Sequence, residues 1–226
     1  AVPANAPVSD SGTADGTDAP ADSSTDNEAD SNTDANGDTS IHVVAVGDNL
    51  VQQCVYQSAQ AHSQDGTSYN FDYCYDNIKP LINGDLNIIN QETLICGDGF
   101  EVSGSNFNFN SPTELGDAVV GMGFNVITMC NNHLLDKGES GLNSCLNYWD
   151  QKMQQYPDLL TCGVYRDYVD MQNIRTKEFN GKTVAFLSYT ENTNGYSLPD
   201  NSELEIIYTS QEDLICLLYT SPSPRD

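Results

Sequence analysis

Three short apolar runs, Ile41–Val46, Leu86–Ile89 and Phe124–Met129, each close on a cluster of polar side chains. The first runs into Gly47-Asp48-Asn49 and the second into Asn90-Gln91-Glu92-Thr93. The third runs into Cys130-Asn131-Asn132-His133-Leu134-Leu135-Asp136-Lys137-Gly138. Continuous apolar runs of this length, rich in β-branched residues, suit strands buried on both faces of a parallel sheet. The carboxyl edge of such a sheet is where open α/β folds collect ligands and catalytic groups. Three strand ends carrying Asp, Asn/Glu and Asn-His would therefore converge on one rim, an oxygen-and-nitrogen set suited to metal ions.

The segments between the runs support this arrangement. Residues 49–60 and 71–82 carry helical apolar spacing, with Pro80 disturbing the second. Asp85–Ile89 is the second strand, and 97–110, rich in Gly, Ser and Asn, reads as a long loop of the kind that often carries function. Ser111-Pro112-Thr113-Glu114 has the form of a capping box with Pro at the first helical position. Leu115, Ala118, Val119 and Met122 then repeat at helical spacing up to Gly123. Leu142, Cys145, Leu146 and Trp149 give another helical stripe. Asn180-Gly181 between 174–179 and 183–189 signals a hairpin. A further strand is expected at 203–209, where the fold looks unfinished. Strands alternating with helices, plus one hairpin, predict an α/β fold whose sheet is mostly parallel.

Charge divides the chain. Residues 1–40 hold nine acids and no Lys or Arg among small polar residues, so they cannot bury enough apolar surface to fold. They read as a disordered acidic linker. Beyond them the chain is still acidic by about sixteen charges, which argues against a nucleic-acid partner and suits a protein that gathers cations. No stretch is apolar and long enough to span a membrane. An acidic tether that opens at Ala1 rather than Met is expected to follow a removed signal or anchor. The expectation is an exported protein on the extracellular face of a bacterial membrane, held there only through that missing N-terminal anchor.

At the other end, residues 216–226 resemble translated library-adapter sequence and are excluded from fold reasoning. The folded domain is taken as 41–215. Six cysteines then remain, none in a C-x-x-C pair, which argues against structural zinc and leaves one or two disulfides open.

Each rim residue also has a plainer reading. Asp48 could cap the following helix, Asn90 and Glu92 could form a turn, and a lone His after a strand is commonly a hydrogen-bonded loop residue. What favours a site is the set of three strand ends together. His42 and His62 lack that setting and read as structural or surface groups.

The order of motifs from Ile41 to Tyr189 resembles the CapA family of poly-γ-glutamate (capsule) synthesis proteins. The matching blocks are Val46-Gly47-Asp48, Tyr69-Asn70-Phe71-Asp72, the 85–93 segment ending in Asn90-Gln91-Glu92-Thr93, the 107–115 segment and the 123–138 segment with Asn131-Asn132-His133 and Asp136-Lys137-Gly138. The resemblance implies a layered sandwich like that of the calcineurin-type metallophosphoesterases, here incomplete at its C-terminus. It implies divalent metal ions held by Asp48, Asn90 or Glu92, and Asn132. His133 would be the acid that protonates a leaving oxygen, and Asp136 would orient it. Expected substrates are a phosphoester or a cell-surface polymer, and expected partners are membrane components of a poly-γ-glutamate synthase. The alternative is a non-catalytic surface component that binds or exports the polymer. Two departures matter: Leu50 stands where the calcineurin-type enzymes carry a His, and the later His-containing blocks of the family do not occur before Ile215. The chain as given is expected to hold about half a site and to be inactive as a hydrolase.

Overall fold

A computed structural model describes residues 40–179 and 181–211. The acidic linker (but for its last residue, Ser40), Asn180 and the adapter-like 216–226 lie outside the described residues.

Four short strands form a parallel sheet: β1 (Val43–Asp48), β2 (Leu86–Asn90), β5 (Val126–Thr128) and β6 (Leu160–Cys162), in the order β1-β2-β5-β6. The chain runs from β2 through a small hairpin, β3 (Ser103–Ser105) and β4 (Asn108–Asn110), into helix α3 (Thr113–Gly121) and then β5. Helix α4 (Gly138–Gln155) links β5 to β6. Because side chains alternate along a strand, each central strand feeds two layers. Ile89 and Ile127 face one cluster with Leu115 and Val119 of α3 and Leu142, Cys145, Leu146 and Trp149 of α4. Leu86, Val126 and Cys162 face the other, covered by Phe186. The expected α/β fold, a mostly parallel sheet flanked by helices, is what the chain adopts.

Several details differ from the sequence expectation. Among the described residues β1 is an edge strand paired only to β2 and half open to solvent, with Val43 50% exposed, so it is not buried on both faces. Helix α1 covers only Gln53–Ala61, because Asn49 is drawn into a buried turn. The segment expected to be helical over 71–82 breaks into α2 (Asp72–Tyr75) and a 3-10 turn at Lys79–Leu81. Pro80 has no N–H to return to the preceding turn, which explains the tightening. α3 begins one residue later than a capping box requires: Pro112 is its N-cap with no side-chain cap, and Ser111 Oγ donates to Thr93 Oγ1 instead.

The hairpin expected around Asn180-Gly181 is present as β8 (Arg175–Phe179) with β9 (Lys182–Phe186). The expected strand over 203–209 is reduced to β10 (Glu205–Ile206), antiparallel to β7 (Val164–Tyr165), and the short helix α5 (Tyr168–Gln172) follows β7. Six described cysteines are free thiols, four of them buried. His42 precedes β1 rather than lying within it and is exposed, while the ring of His62 stacks on Tyr73. No helix among the described residues is long and apolar enough to cross a membrane.

Candidate active site at the strand ends

The carboxyl ends of β1, β2 and β5 lie side by side because the strands are parallel and in register. A register shift at Gly47 sets Asp48 opposite Asn90, and Asn90 Nδ2 donates to Asp48 Oδ1 at 2.7 Å. Thr128 of β5 completes the row, its Oγ1 donating to Asn90 Oδ1 at 3.3 Å. A second layer of amides fixes the turns behind this row. Asn49 Nδ2 donates to Gln91 Oε1 at 2.8 Å, and Tyr75 donates its hydroxyl to Asn49 Oδ1 at 2.9 Å.

Asn131, buried, ties the turn after β5 to the end of β2. Its amide donates to the carbonyls of Gln91 and Met129, and its Oδ1 accepts the His133 backbone N–H at 2.9 Å. This bracing aims the next residues at the rim. His133 is 4% exposed. Its Nδ1 lies 2.8 Å from Asp136 Oδ2, and its Nε2 lies 3.8 Å from Glu92 Oε1. The same Asp136 oxygen accepts the Phe109 backbone N–H at 2.8 Å, while its other oxygen is buried without a hydrogen-bond partner among the described residues. Phe109 packs edge-on against the imidazole, ring centroids 4.7 Å apart.

Burial sets the electrostatics. It pushes the Glu92 carboxyl above the ordinary carboxylate range, and the Asp48 charge pushes the same way. Burial also raises Asp136, against the hydrogen bonds from His133 and Phe109 that pull it down. Glu92 thus feels the negative charges of both Asp48 and Asp136, which favours a proton or a cation beside it.

The structure thus joins His133, Asp136 and Glu92 in one contact set and Asp48 with Asn90 in a second, coupled to the first through the Asp48 charge on Glu92. Asn132 stands beside them but bonds elsewhere: its Nδ2 donates to Asn194 Oδ1 at 3.1 Å. Asn194, with a left-handed φ of 53°, also brings Nδ2 within 3.4 Å of His133 Nδ1. Asn194 lies in a loop, and nothing in its local sequence encodes a contact with a residue 62 positions earlier. Sequence reasoning left Phe107 and Phe109 in a loop, although the alternation Phe107-Asn108-Phe109-Asn110 has the period of a strand.

Oxygen donors from Asp48, Glu92 and the amides of Asn90 and Asn132 fit a hard or borderline divalent ion by type. Among the described residues no three His, Cys, Asp or Glu side chains stand close enough to share one ion. Amide oxygens would therefore have to supply part of the shell.

The profile of the family described as bacterial capsule synthesis protein PGA_cap matches residues 42–213, which takes in the whole rim. The chain belongs to that family. The capsule biosynthesis protein CapA of Bacillus anthracis is 26% identical over 127 residues, a stretch covering 54% of this chain and 30% of that protein. The chain therefore matches less than a third of its relative's length. Membership in the capsule synthesis family supports a role in capsule biosynthesis.

Proposed function

We propose that the rim is the hydrolytic centre of this capsule synthesis protein, acting with divalent metal on a phosphoester or on a bond in a cell-surface polymer. The observation that carries the reading is the His133–Asp136 dyad with Glu92 facing the other ring nitrogen, set where three parallel strands end. Asp48, Asn90, Glu92 and Asn132 would hold the metal, which when bound acts as a Lewis acid and lowers the pKa of a bound water to about 7.

The chain's own groups supply the rest. Asp136 Oδ2 accepts from Nδ1 and so holds the imidazole in one orientation, leaving Nε2 to give or take the proton at the leaving oxygen. Phe109, packed edge-on against the imidazole, helps keep water from the ring. Glu92, its carboxyl raised by burial, faces Nε2 across 3.8 Å. Export to the extracellular face of the membrane, and partnership with synthase components there, belong to the same reading. They are supported by the acidic tether and by the relative's name.

A second reading is a non-catalytic surface component that binds or exports poly-γ-glutamate. It is favoured by the lack, among the described residues, of three ionisable ligands close enough to share one ion. Hydrolysis of a chromogenic phosphodiester by the full-length gene product, with and without Mn2+, separates the two. Metal-dependent turnover that is lost in His133→Ala supports the enzyme, whereas polymer capture without turnover supports the binding component.

A further inference from the structure

The pairing of the three rim strands stops where the rim begins. Its last registered pairs are Asp48 with Asn90 and Asn90 with Thr128, and beyond them the chain leaves in three separate turns. Parallel strands set their ends about 4.8 Å apart, but strand spacing does not hold the turns that follow. Buried polar groups there need partners of their own, and the partners they find decide the shape of the rim.

The three turns meet at Gln91, which is 3% exposed. Its backbone N–H donates to Thr128 O at 2.9 Å, and its carbonyl accepts Asn131 Nδ2 at 3.2 Å. Its side-chain Oε1 accepts Asn49 Nδ2 at 2.8 Å. Its Nε2 donates to Thr93 O at 2.8 Å and to Thr93 Oγ1 at 3.0 Å. The Thr93 N–H returns to Asn49 O at 3.3 Å, closing a ring of bonds through the first two turns.

A buried glutamine in a turn is ordinarily a satisfied structural group. The places of these partners along the chain give Gln91 more to do. Asn49 follows Asp48, Thr93 follows Glu92, and Asn131 precedes Asn132 and His133. Glu92 is therefore clamped from both sides, by Gln91 and by Thr93. Asp48 and the Asn132-His133 pair extend from the two turns that bond Gln91. We propose that Gln91 is a positioning residue whose side-chain amide locks Asp48, Glu92 and His133 into one arrangement. The proposal rests on the reading of the rim as the hydrolytic centre and adds the residue that holds its halves together.

The test compares Gln91→Met, Asn49→Ala and Val119→Ala with wild type in the full-length gene product. Met keeps the volume of Gln91 but none of its side-chain bonds, Asn49→Ala cuts the link to the first turn alone, and Val119→Ala weakens the core through α3. Amide hydrogen exchange, read by NMR, follows the N–H groups of Asn49, Thr93 and His133 against those of α4. In Gln91→Met all three are expected to exchange about tenfold or more faster than the change in α4 explains. In Asn49→Ala the His133 N–H should keep its protection, and in Val119→Ala none of the three should stand out. Mn2+ affinity, measured by electron paramagnetic resonance, should fall about ten- to a hundredfold in Gln91→Met. The turnover loss in that variant should lie in kcat rather than KM.

The proposal is overturned if the faster exchange in Gln91→Met is confined to its own turn, or if that variant binds Mn2+ and turns over like Val119→Ala. Should Gln91→Met not fold, Asn49→Ala decides: unchanged exchange at Asn49 and Thr93 overturns the proposal. The exchange measurement needs neither metal nor turnover. A wild type that binds no Mn2+ and hydrolyses nothing defeats the hydrolytic reading, whereas unlinked turns defeat the role of Gln91, so the two failures give different results.

Discussion

Asp136 Oδ2 accepts two bonds at the same length, 2.8 Å from His133 Nδ1 and 2.8 Å from the backbone nitrogen of Phe109. One oxygen thus ties the residue proposed as the proton donor to the hairpin that covers it. Asp136→Ala leaves a buried N–H and an imidazole without their acceptor, and is expected to cost about 1–3 kcal/mol in urea unfolding. Asp136→Asn keeps an acceptor of the same shape, so its stability loss should be smaller. Its hydrolytic rate should still fall by about a hundredfold, and an unchanged rate would remove Asp136 from the mechanism.

Glu92 predicts a pH dependence of stability. Its carboxyl is raised in the folded protein, so folding is favoured by its protonation. That contribution is fully present below the ordinary glutamate value of 4.5 and is lost as pH rises through the higher folded value. At pH 7, in chelator, the ionised group is a burden. Glu92→Gln should therefore raise Tm at pH 7, and the gain should shrink as pH falls below about 4.5. A variant that melts below wild type at pH 7 in chelator contradicts this.

Gly163 holds the floor of the turn that carries His133. Its φ is +107°, and a Cβ would stand 2.7 Å from Cys130 Cβ and 2.8 Å from the Cys130 nitrogen. Gly163→Ala should lose about 2 kcal/mol or more, from left-handed strain and from crowding. The Cys130–Asn131 turn must shift to accept it, so activity should fall beyond what the stability loss explains. Denaturant melts alongside rates at low temperature measure both.

Asn194 reaches the rim from a half-buried loop, so its removal should spare the fold. Asn194→Ala and Asn194→Gly both delete the bond from Asn132, but only glycine suits the left-handed backbone. Each should lower the rate up to about tenfold, as loss of one hydrogen bond allows. Asn194→Gly should also keep wild-type Tm. Equal rates in all three proteins would show that Asn132 is held in place without Asn194.

Much of the fold was legible because the strongest periodic segments decide it. β1, β2, β5, α3 and α4 follow from apolar spacing, and the polar ends of the three strands put Asp48, Asn90, Glu92 and His133 on one rim. β6 was missed because Leu160–Cys162 is only three residues long, although Pro157-Asp158 and Gly163 bracket it. β1 was read as buried because an apolar run does not say how many neighbours a strand will have. Contacts such as Asn132 with Asn194 close long loops, and neither residue's local sequence encodes its partner. The hairpin at 103–110 was hidden by its Gly, Ser and Asn content. Its tip contains a Phe where the turn would ordinarily require Gly.

The most direct test of the central reading is the rate of chromogenic phosphodiester hydrolysis by the full-length gene product, titrated with Mn2+, for wild type and His133→Ala. The account predicts turnover that rises with metal and falls about a hundredfold or more without the imidazole. Turnover absent at every metal concentration, with capsule polymer still captured, would contradict it and leave a binding role for the rim.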